Sequence, residues 1–280
     1  MFLAVDRTAR NINNTPKIYY NWGAMRPTLF ELKSWALQAG EILRGGIGQK
    51  HIIRHKGTVN LVTEMDQRSE DFLVRQIREH YPDHAILAEE SGAMAGREAA
   101  CWYLDPLDGT TNYAHAVPIF CVSIGYAERG QMQLGVVYDP MQDELFSAEL
   151  GQGAWLNDQP MRVSEIGDLI QSLLVTGFPY DLLETPNNNL DNFTRLSRLS
   201  QGVRRIGSAA IDLCYVAAGR FDGYWEIRLS PWDLAAGTLI VREAGGIVTN
   251  MDGSSDLLQP PYSIVAGNPK IYPQLIRLLK

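Results

Sequence analysis

The run "CWYLDPLDGTTNYAH", residues 101–115, places two acids, Asp105 and Asp108, three residues apart at the end of an apolar segment. Glu89 and Glu90 end a second short apolar run, "AILAEES", and Asp233 opens "PWDLAAG". Carboxylate oxygens are hard ligands. Several that converge suit Mg²⁺, which takes oxygen donors and keeps waters for a phosphate substrate. Pro106 stiffens the backbone between Asp105 and Asp108, so both side chains and the Leu107 carbonyl could face one space. Gly109, Thr110 and Thr111 follow at once. If they begin a helix, their free N–H groups form an anion site. Metal ions on one side and amides on the other would grip a phosphate, with the Thr110 hydroxyl within reach of a water held there.

Each piece also has a plain structural reading. Asp-Pro and Asp-Gly are common turn dipeptides, so Asp105 and Asp108 read equally as turn and cap residues. Glu89 and Glu90 read as surface charges, and Asp233 as a first-turn helix acid. Asp66 stands three residues after Thr63, the spacing of a helix-start acid behind its N-cap. Lys56 alone is a solvated lysine. His80 and His84 are four apart, but Pro82 between them breaks the helix that a zinc pair would need. His51, His55 and His115 have no metal-like spacing. Taken one by one, the local signals leave both readings open.

The elements that would position these residues follow from periodicity and punctuation. "TLFE" has the capping-box form, with Thr28 as N-cap and Glu31 at N3. Leu29, Leu32, Ala36, Ala39 and Leu43 then recur at helical spacing, and Gly45 and Gly46 close that helix. "NLVT" reads as a short strand, and "EMDQRSEDFLVRQIREHYP" as a helix stopped before Pro82. "AILAEES" and "CWYLD" read as strands. Residues 120–150 read as three strands with turns at "ERGQ" and "DPMQ", an antiparallel meander. "SLLVTGF" is a strand, "NLDNFTRLSRL" a helix, "SAAIDLCYVAAG" a helix closed by Gly219, and "FDGYWEI" a strand. "PWDLAAGTLIVREAGG" is a helix with Pro231 at N1. "IVTNM" and "SIVAG" are strands, and a last helix begins at about Pro269. The sum is mixed α/β with antiparallel pieces. Residues 1–27, with Asn13, Asn14, Pro16, Asn21, Gly23 and Pro27 and no sustained periodicity, read as a poorly ordered extension.

Composition bounds the class. The chain has 280 residues, 45% hydrophobic and 20% charged, which suits a soluble globular protein with a sizeable core. One large domain or two intimate subdomains fit that length. No apolar run approaches the roughly 20 residues that span a bilayer. The apolar stretch at the N-terminus is too short for a signal peptide, so a cytoplasmic protein with no membrane partner is expected. Cys101, Cys121 and Cys214 form no C-x-x-C pair and sit among apolar residues, which predicts buried free thiols. The net charge of −7 and the lack of any basic run longer than Arg204–Arg205 argue against a nucleic-acid partner. An acidic chain still binds phosphate where metal ions or local donors supply the positive charge.

Read together, the segments resemble the inositol monophosphatase family, within the wider group of lithium-sensitive, Mg²⁺-dependent phosphatases. "KGTVNLVTEMD", "ILAEES", "WYLDPLDGTTNY" and "WDLAAGTLIVREAGG" match that family's motifs in order, and D-P-L-D-G-T-T and W-D-x-A-A-G are highly specific strings. "VVYDPMQDELFSAELGQGAWLN" and "GSAAIDLCYVAAGRFDGYWEI" fit the intervening regions. The likeness runs from about residue 29 to near the C-terminus and is strongest to bacterial members.

The resemblance implies an αβαβα sandwich with two sheets, as in inositol monophosphatase and fructose-bisphosphatase. One catalytic domain over 28–280 would comprise two subdomains, about 28–160 and 161–280. By motif position, Glu89, Asp105 and the Leu107 carbonyl would bind a first Mg²⁺, and Asp105, Asp108 and Asp233 a second. A third, weaker Mg²⁺ near Glu89 is sometimes invoked. The Gly109 and Thr110 amides would hold the phosphate, while Thr110 and Asp66 orient and help deprotonate the attacking water. Glu226 would contact inositol hydroxyls, and Ser208 and Ala209 would face the ring. Asn60 stands where many members have Asp, and Ser230 where animal enzymes have His. The implied activity is hydrolysis of an inositol monophosphate, sensitive to lithium, by a homodimer. Histidinol phosphate, fructose 1,6-bisphosphate and 3′-phosphoadenosine 5′-phosphate are the substrates of relatives. A metal-binding module acting through protein partners is the reading from another class.

Overall fold

Thr28 starts the first helix with the reciprocal bonds that its sequence predicts. In the computed structural model, which describes residues 26–49, 54–55, 61–182, 184–186 and 188–279, its hydroxyl accepts the Glu31 amide. Glu31 Oε2 in turn accepts the Thr28 N–H at 2.9 Å. Residues 1–25 of the expected extension lie outside the described residues, as do His51, Lys56 and Asn60. Arg26, within that extension, is described and bonds to Glu128 and Gln133.

Helix α1 (Leu29–Gly46) is followed by a small antiparallel ladder of β1 (Arg54–His55) and β2 (Leu61–Val62), then by α2 (Glu64–His80). A second capping box, Thr63 with Asp66, opens α2. Next come β3 (His84–Ala88), β4 (Gly92–Met94), β5 (Arg97–Asp108) and the short α3 (Thr110–Ala114). They are followed by β6 (Cys121–Glu128), β7 (Gln131–Asp139), β8 (Glu144–Glu149), β9 (Gly153–Leu156) and β10 (Gln159–Pro160). These strands make one sheet in the order β10-β9-β8-β7-β6-β5-β3-β4. Strands β6 to β8 are the antiparallel meander read from the turn signals, and β5 joins it antiparallel to β6.

The rest of the chain supplies β11 (Leu173–Thr176), α4 (Leu190–Ser197), β12 (Gly202–Arg204), α5 (Ala209–Ala217) and β13 (Gly223–Ile227). It ends with α6 (Pro231–Glu243), β14 (Ile247–Thr249), β15 (Ser263–Gly267) and α7 (Tyr272–Leu278). Five of these strands form a second sheet, β12-β11-β13-β15-β14.

Packing stacks the elements in five layers. Helices α1 and α2 cover one face of the large sheet, and α5 and α6 lie between the two sheets. Helices α4 and α7 cover the far face of the small sheet. Strand β6 is buried on both faces along nearly its whole length, which is why it reads as a continuous apolar run and not an alternating one. Helix α6 is buried nearly all round. It approaches the sheet closely because "AAG" offers no bulk. A Cβ on Gly125 would lie 2.9 Å from the Ala235 Cβ, and one on Gly135 would lie 2.8 Å from the Ala236 carbonyl oxygen.

Three features differ from the periodicity reading. Strand β5 is longer than "CWYLD" and runs through Pro106, with its register against β6 broken between Asp105 and Asp108. A proline has no N–H for the ladder, so the strand bulges there. Strands β4, β9, β10 and β12 are too short to leave a pattern. The last helix begins at Tyr272 and not at Pro269, because Asn268 Oδ1 accepts the Lys270 and Ile271 amides at 2.8 and 2.9 Å and holds those residues in a turn. The three cysteines are free, with Cys121 and Cys214 buried. Among the described residues, no helix is long and apolar enough to cross a membrane.

His84 is a buried base among rings. Its Nδ1 accepts the Trp102 Nε1–H at 3.1 Å, and it stacks on Tyr81 and Tyr126. Burial, and then the Arg97 charge, push its pKa below the usual 6.5. The unfolded chain therefore takes this proton first, so the stability is present above pH 6.5 and is lost as pH falls below it. Urea unfolding between about pH 7.5 and 5.5 should show a loss that is shallower in His84→Gln.

Candidate active site

A cavity of about 390 Å³ opens where the ends of the two sheets meet. Glu89, Asp105, Leu107, Asp108, Gly109 and Thr110 line it from the first half of the chain. Ser208, Ala209, Glu226 and Asp233 line it from the second. Four kinds of local structure bring them there. Glu89 directly follows β3, and Asp105 and Asp108 flank the bulge that ends β5. Gly109 and Thr110 open α3, Ser208 caps α5, Glu226 lies in β13, and Asp233 sits in the first turn of α6.

The bulge is pinned from several directions. Asp105 Oδ1 accepts the Leu107 amide at 3.0 Å, and Ser69 of α2 donates to the Pro106 carbonyl at 2.9 Å. The Leu107 side chain is buried in the outer core, while its carbonyl accepts the Thr110 hydroxyl at 3.1 Å. Gly109 has φ +100°, a left-handed conformation, and a Cβ there would lie 3.0 Å from the Ile119 carbonyl oxygen. Both facts require glycine. Asp108 Oδ2 reaches across to the second half, accepting Ser208 Oγ–H and the Ala210 amide, each at 2.7 Å. The Ser208 hydroxyl also accepts the Ile211 amide at 3.3 Å, so it serves the helix cap as well as lining the cavity.

Asp66 is fully buried and does not line the cavity wall. Its Oδ2 accepts the Thr63 amide and hydroxyl at 2.8 and 2.6 Å. Its Oδ1 accepts the Thr110 hydroxyl at 3.1 Å, so it communicates with the cavity through Thr110. Burial raises its pKa to about 6, against the opposing bonds from Thr63 and with a smaller push from Glu89.

Three positioning residues escaped the sequence reading. Glu70, buried on α2, accepts the Glu90 and Ser91 amides at 2.8 Å each, together with the Ser91 hydroxyl, and so holds the loop that carries Glu89. Its spacing of four from Asp66, on the same helix face, was the available signal. Asn112 Nδ2 donates to the Ile119 and Ile206 carbonyls at 2.9 and 2.8 Å, joining α3 to the approach to Ser208. A Cβ on Gly177 would collide with the Glu226 carboxylate, so the glycine makes room for it. Local sequence carries no mark of these last two contacts.

The acids strain against one another. Asp105, Asp108 and Asp233 are all pushed above the ordinary carboxylate pKa, by burial first. For Asp105 the charges of Glu89, Asp108 and Asp233 add to it. One oxygen of each is tied to the protein: Asp105 to Leu107, Asp108 to Ser208 and Ala210, and Asp233 Oδ2 to the Ser230 amide at 2.7 Å. Among the described residues, no three acidic, histidine or cysteine side chains stand in closed metal-ligating geometry. The donor set nevertheless fits Mg²⁺. It is all oxygen and adds a backbone carbonyl, and its converging like charges are what a divalent cation would neutralise.

The chain matches the inositol monophosphatase family over residues 24–280. It belongs to that family. It is 48% identical to an inositol-1-monophosphatase of a Synechocystis strain over 258 residues, 89% of this chain and 90% of that protein. It is 41% identical to the Nus factor SuhB of Pasteurella multocida, covering 91% of this chain and 97% of that one. The solved inositol monophosphatase of Anabaena superposes with a TM-score of 0.81 at 47% identity, over 89% and 94% of the two chains. The layered fold is the one seen in inositol monophosphatases, and this chain is a phosphoric monoester hydrolase of a family that is generally Mg²⁺-dependent.

Glu70→Gln keeps the side chain's volume but turns an NH₂ group toward one of the amide donors. It should lower the unfolding free energy by about 1–3 kcal/mol in urea titrations. Ser91→Ala, which removes a hydroxyl and keeps both amide bonds, should cost less.

Proposed function

We propose that this chain hydrolyses a polyol phosphate monoester, myo-inositol monophosphate, to inositol and phosphate, with water as the nucleophile. The observation that carries the reading is one cavity that brings Glu89, Asp105, Asp108 and Asp233 together with the start of α3 and, apart from them, Glu226. The name of the Synechocystis relative supports the substrate.

Glu89, Asp105, Asp108, Asp233 and the Leu107 carbonyl would hold two Mg²⁺ ions, or three counting a weaker one at Glu89. When bound, these ions would lower the pKa of the attacking water and neutralise phosphoryl charge. The protein's own part begins with the amides of Gly109 and Thr110, which hold phosphate oxygens. The Thr110 hydroxyl, donating to Asp66 Oδ1, orients the water and gives its proton a route to that carboxylate. With a pKa of about 6, Asp66 is mostly ionised at neutral pH and can accept it. Glu226 and the backbone near Ser208 and Ala209 contact the leaving alcohol. The activity occupies one unit, residues 28–280, whose halves, about 28–160 and 161–280, both contribute. Assembly as a homodimer accords with the family.

The Nus factor name of the Pasteurella relative favours a second reading, in which the same fold also acts through a protein partner.

Purified protein should release phosphate from inositol 1-phosphate only with Mg²⁺, lose this activity on chelation, and be inhibited by Li⁺. Asp66→Asn should lower kcat by about 10²–10⁴-fold, and Asp108→Asn should abolish turnover while circular dichroism stays unchanged. Faster turnover of histidinol phosphate, fructose 1,6-bisphosphate or 3′-phosphoadenosine 5′-phosphate would overturn the substrate and leave the chemistry standing. A cellular phenotype rescued by the inactive Asp108→Asn variant would establish the partner role.

A further inference from the structure

Asp212 has no part in the chemistry above, yet it lines the same cavity. It sits in the first turn of α5 and is 1% exposed, and its Oδ1 is a buried atom with no hydrogen-bond partner. The two other such side-chain atoms among the described residues are serine hydroxyls, so Asp212 is the one acid in that condition. Burial, and then the Glu226 and Asp108 charges, push this carboxyl well above the ordinary carboxylate range, and a buried oxygen left without a partner costs stability that folding alone gives no reason to lose. The N-terminus of α5 offsets part of the cost, as does Arg205, a cavity residue whose guanidinium lies 5.8 Å from the Phe178 ring centroid.

We propose that Asp212 and Glu226 form a paired acceptor at the leaving-group end of the cavity, taking hydrogen bonds from neighbouring hydroxyls of the polyol. This deepens the reading of the site as a polyol phosphatase and rests on it. Asp212 and Glu226 line the same cavity from α5 and β13, two elements that pack against each other. After burial, the Glu226 charge is the largest influence on the Asp212 carboxyl, ahead of Asp108. Glu226 Oε2 already accepts the Tyr224 hydroxyl at 2.6 Å, so Asp212 would add acceptor capacity next to a carboxyl that is partly engaged. Arg205 acts on both acids.

A cation already lines this cavity beside the two acids, the guanidinium of Arg205. Neutral hydroxyl donors suit such a site. An ammonium group would have to share it with the guanidinium. Glu226 therefore discriminates together with Asp212, and the preference is for a leaving group that presents two donors.

The test compares the full-length protein with Asp212→Leu and Asp212→Asn in saturating Mg²⁺. The substrates are inositol 1-phosphate, 4-nitrophenyl phosphate, which has no hydroxyls to bind, and histidinol phosphate, which carries an ammonium. The ratio of kcat/KM for inositol 1-phosphate to that for 4-nitrophenyl phosphate should fall about ten- to a hundredfold in Asp212→Leu, mainly through KM. The fall should be smaller in Asp212→Asn, which keeps one acceptor. If Asp212→Leu does not fold, the Asn variant carries the comparison, with a drop of at least a few-fold expected. Equal losses on both substrates would overturn the proposal in favour of a general structural role, and an unchanged ratio would exclude the contact. A selective loss on histidinol phosphate would make the pair an ammonium site instead. Wild-type protein that cleaves 4-nitrophenyl phosphate but not inositol 1-phosphate would instead fail the substrate reading. The same ratio measured with glycerol 2-phosphate would then decide the role of Asp212.

Discussion

Helix α6 lies against the large sheet with no space for a Cβ between them. Ala235 and Ala236 meet Gly125 and Gly135, and Gly237 turns the helix's other side to Leu213 of α5. This close approach sets the geometry of everything around it. It makes α6 part of the core of both sheets, and it anchors the first turn that carries Asp233. A larger residue at any of these positions would lift the helix off the sheet and carry Asp233 away from Asp105 and Asp108. The W-D-x-A-A-G string thus joins a packing requirement and a cavity acid in one motif.

The acids sit where packing places them and not where charge would put them. Each is buried beside like charges, which costs stability. Fixed donors hold them nonetheless: the Leu107 amide for Asp105, the end of α5 for Asp108, and the capping box of α6 for Asp233. Asp108 matters twice over, because its bonds to Ser208 and Ala210 also tie the end of the first sheet to the middle helices. These bonds leave the acids little freedom to move.

The cavity divides by chemistry. Its acid end, from Glu89 to Asp233, is backed by α2, whose Asp66, Ser69 and Glu70 reach Thr110, the Pro106 carbonyl and the 90–91 loop. The other end belongs to the second half of the chain, with Glu226, Asp212 and Arg205.

The acids Glu89, Asp105, Asp108 and Asp233 and the stiff Pro106 between two of them were legible in the sequence, because each belongs to a short string whose local geometry depends on its own neighbours. Capping boxes at Thr28 and Thr63 were legible for the same reason, since a helix start is decided within four residues. Long strands and amphipathic helices declared themselves by period, while β4, β9, β10 and β12 were too short to do so. Tertiary structure alone decided that Asp66 stands behind Thr110 and outside the cavity, and that the Ser208 hydroxyl is engaged by Asp108. It alone showed Glu70 holding the Glu89 loop, Gly177 clearing space for Glu226, and Asp212 entering the wall without a partner. These relations join residues 20 to 100 positions apart. No period or spacing encodes such contacts, because they exist only once two sheets have closed on the same pair of helices.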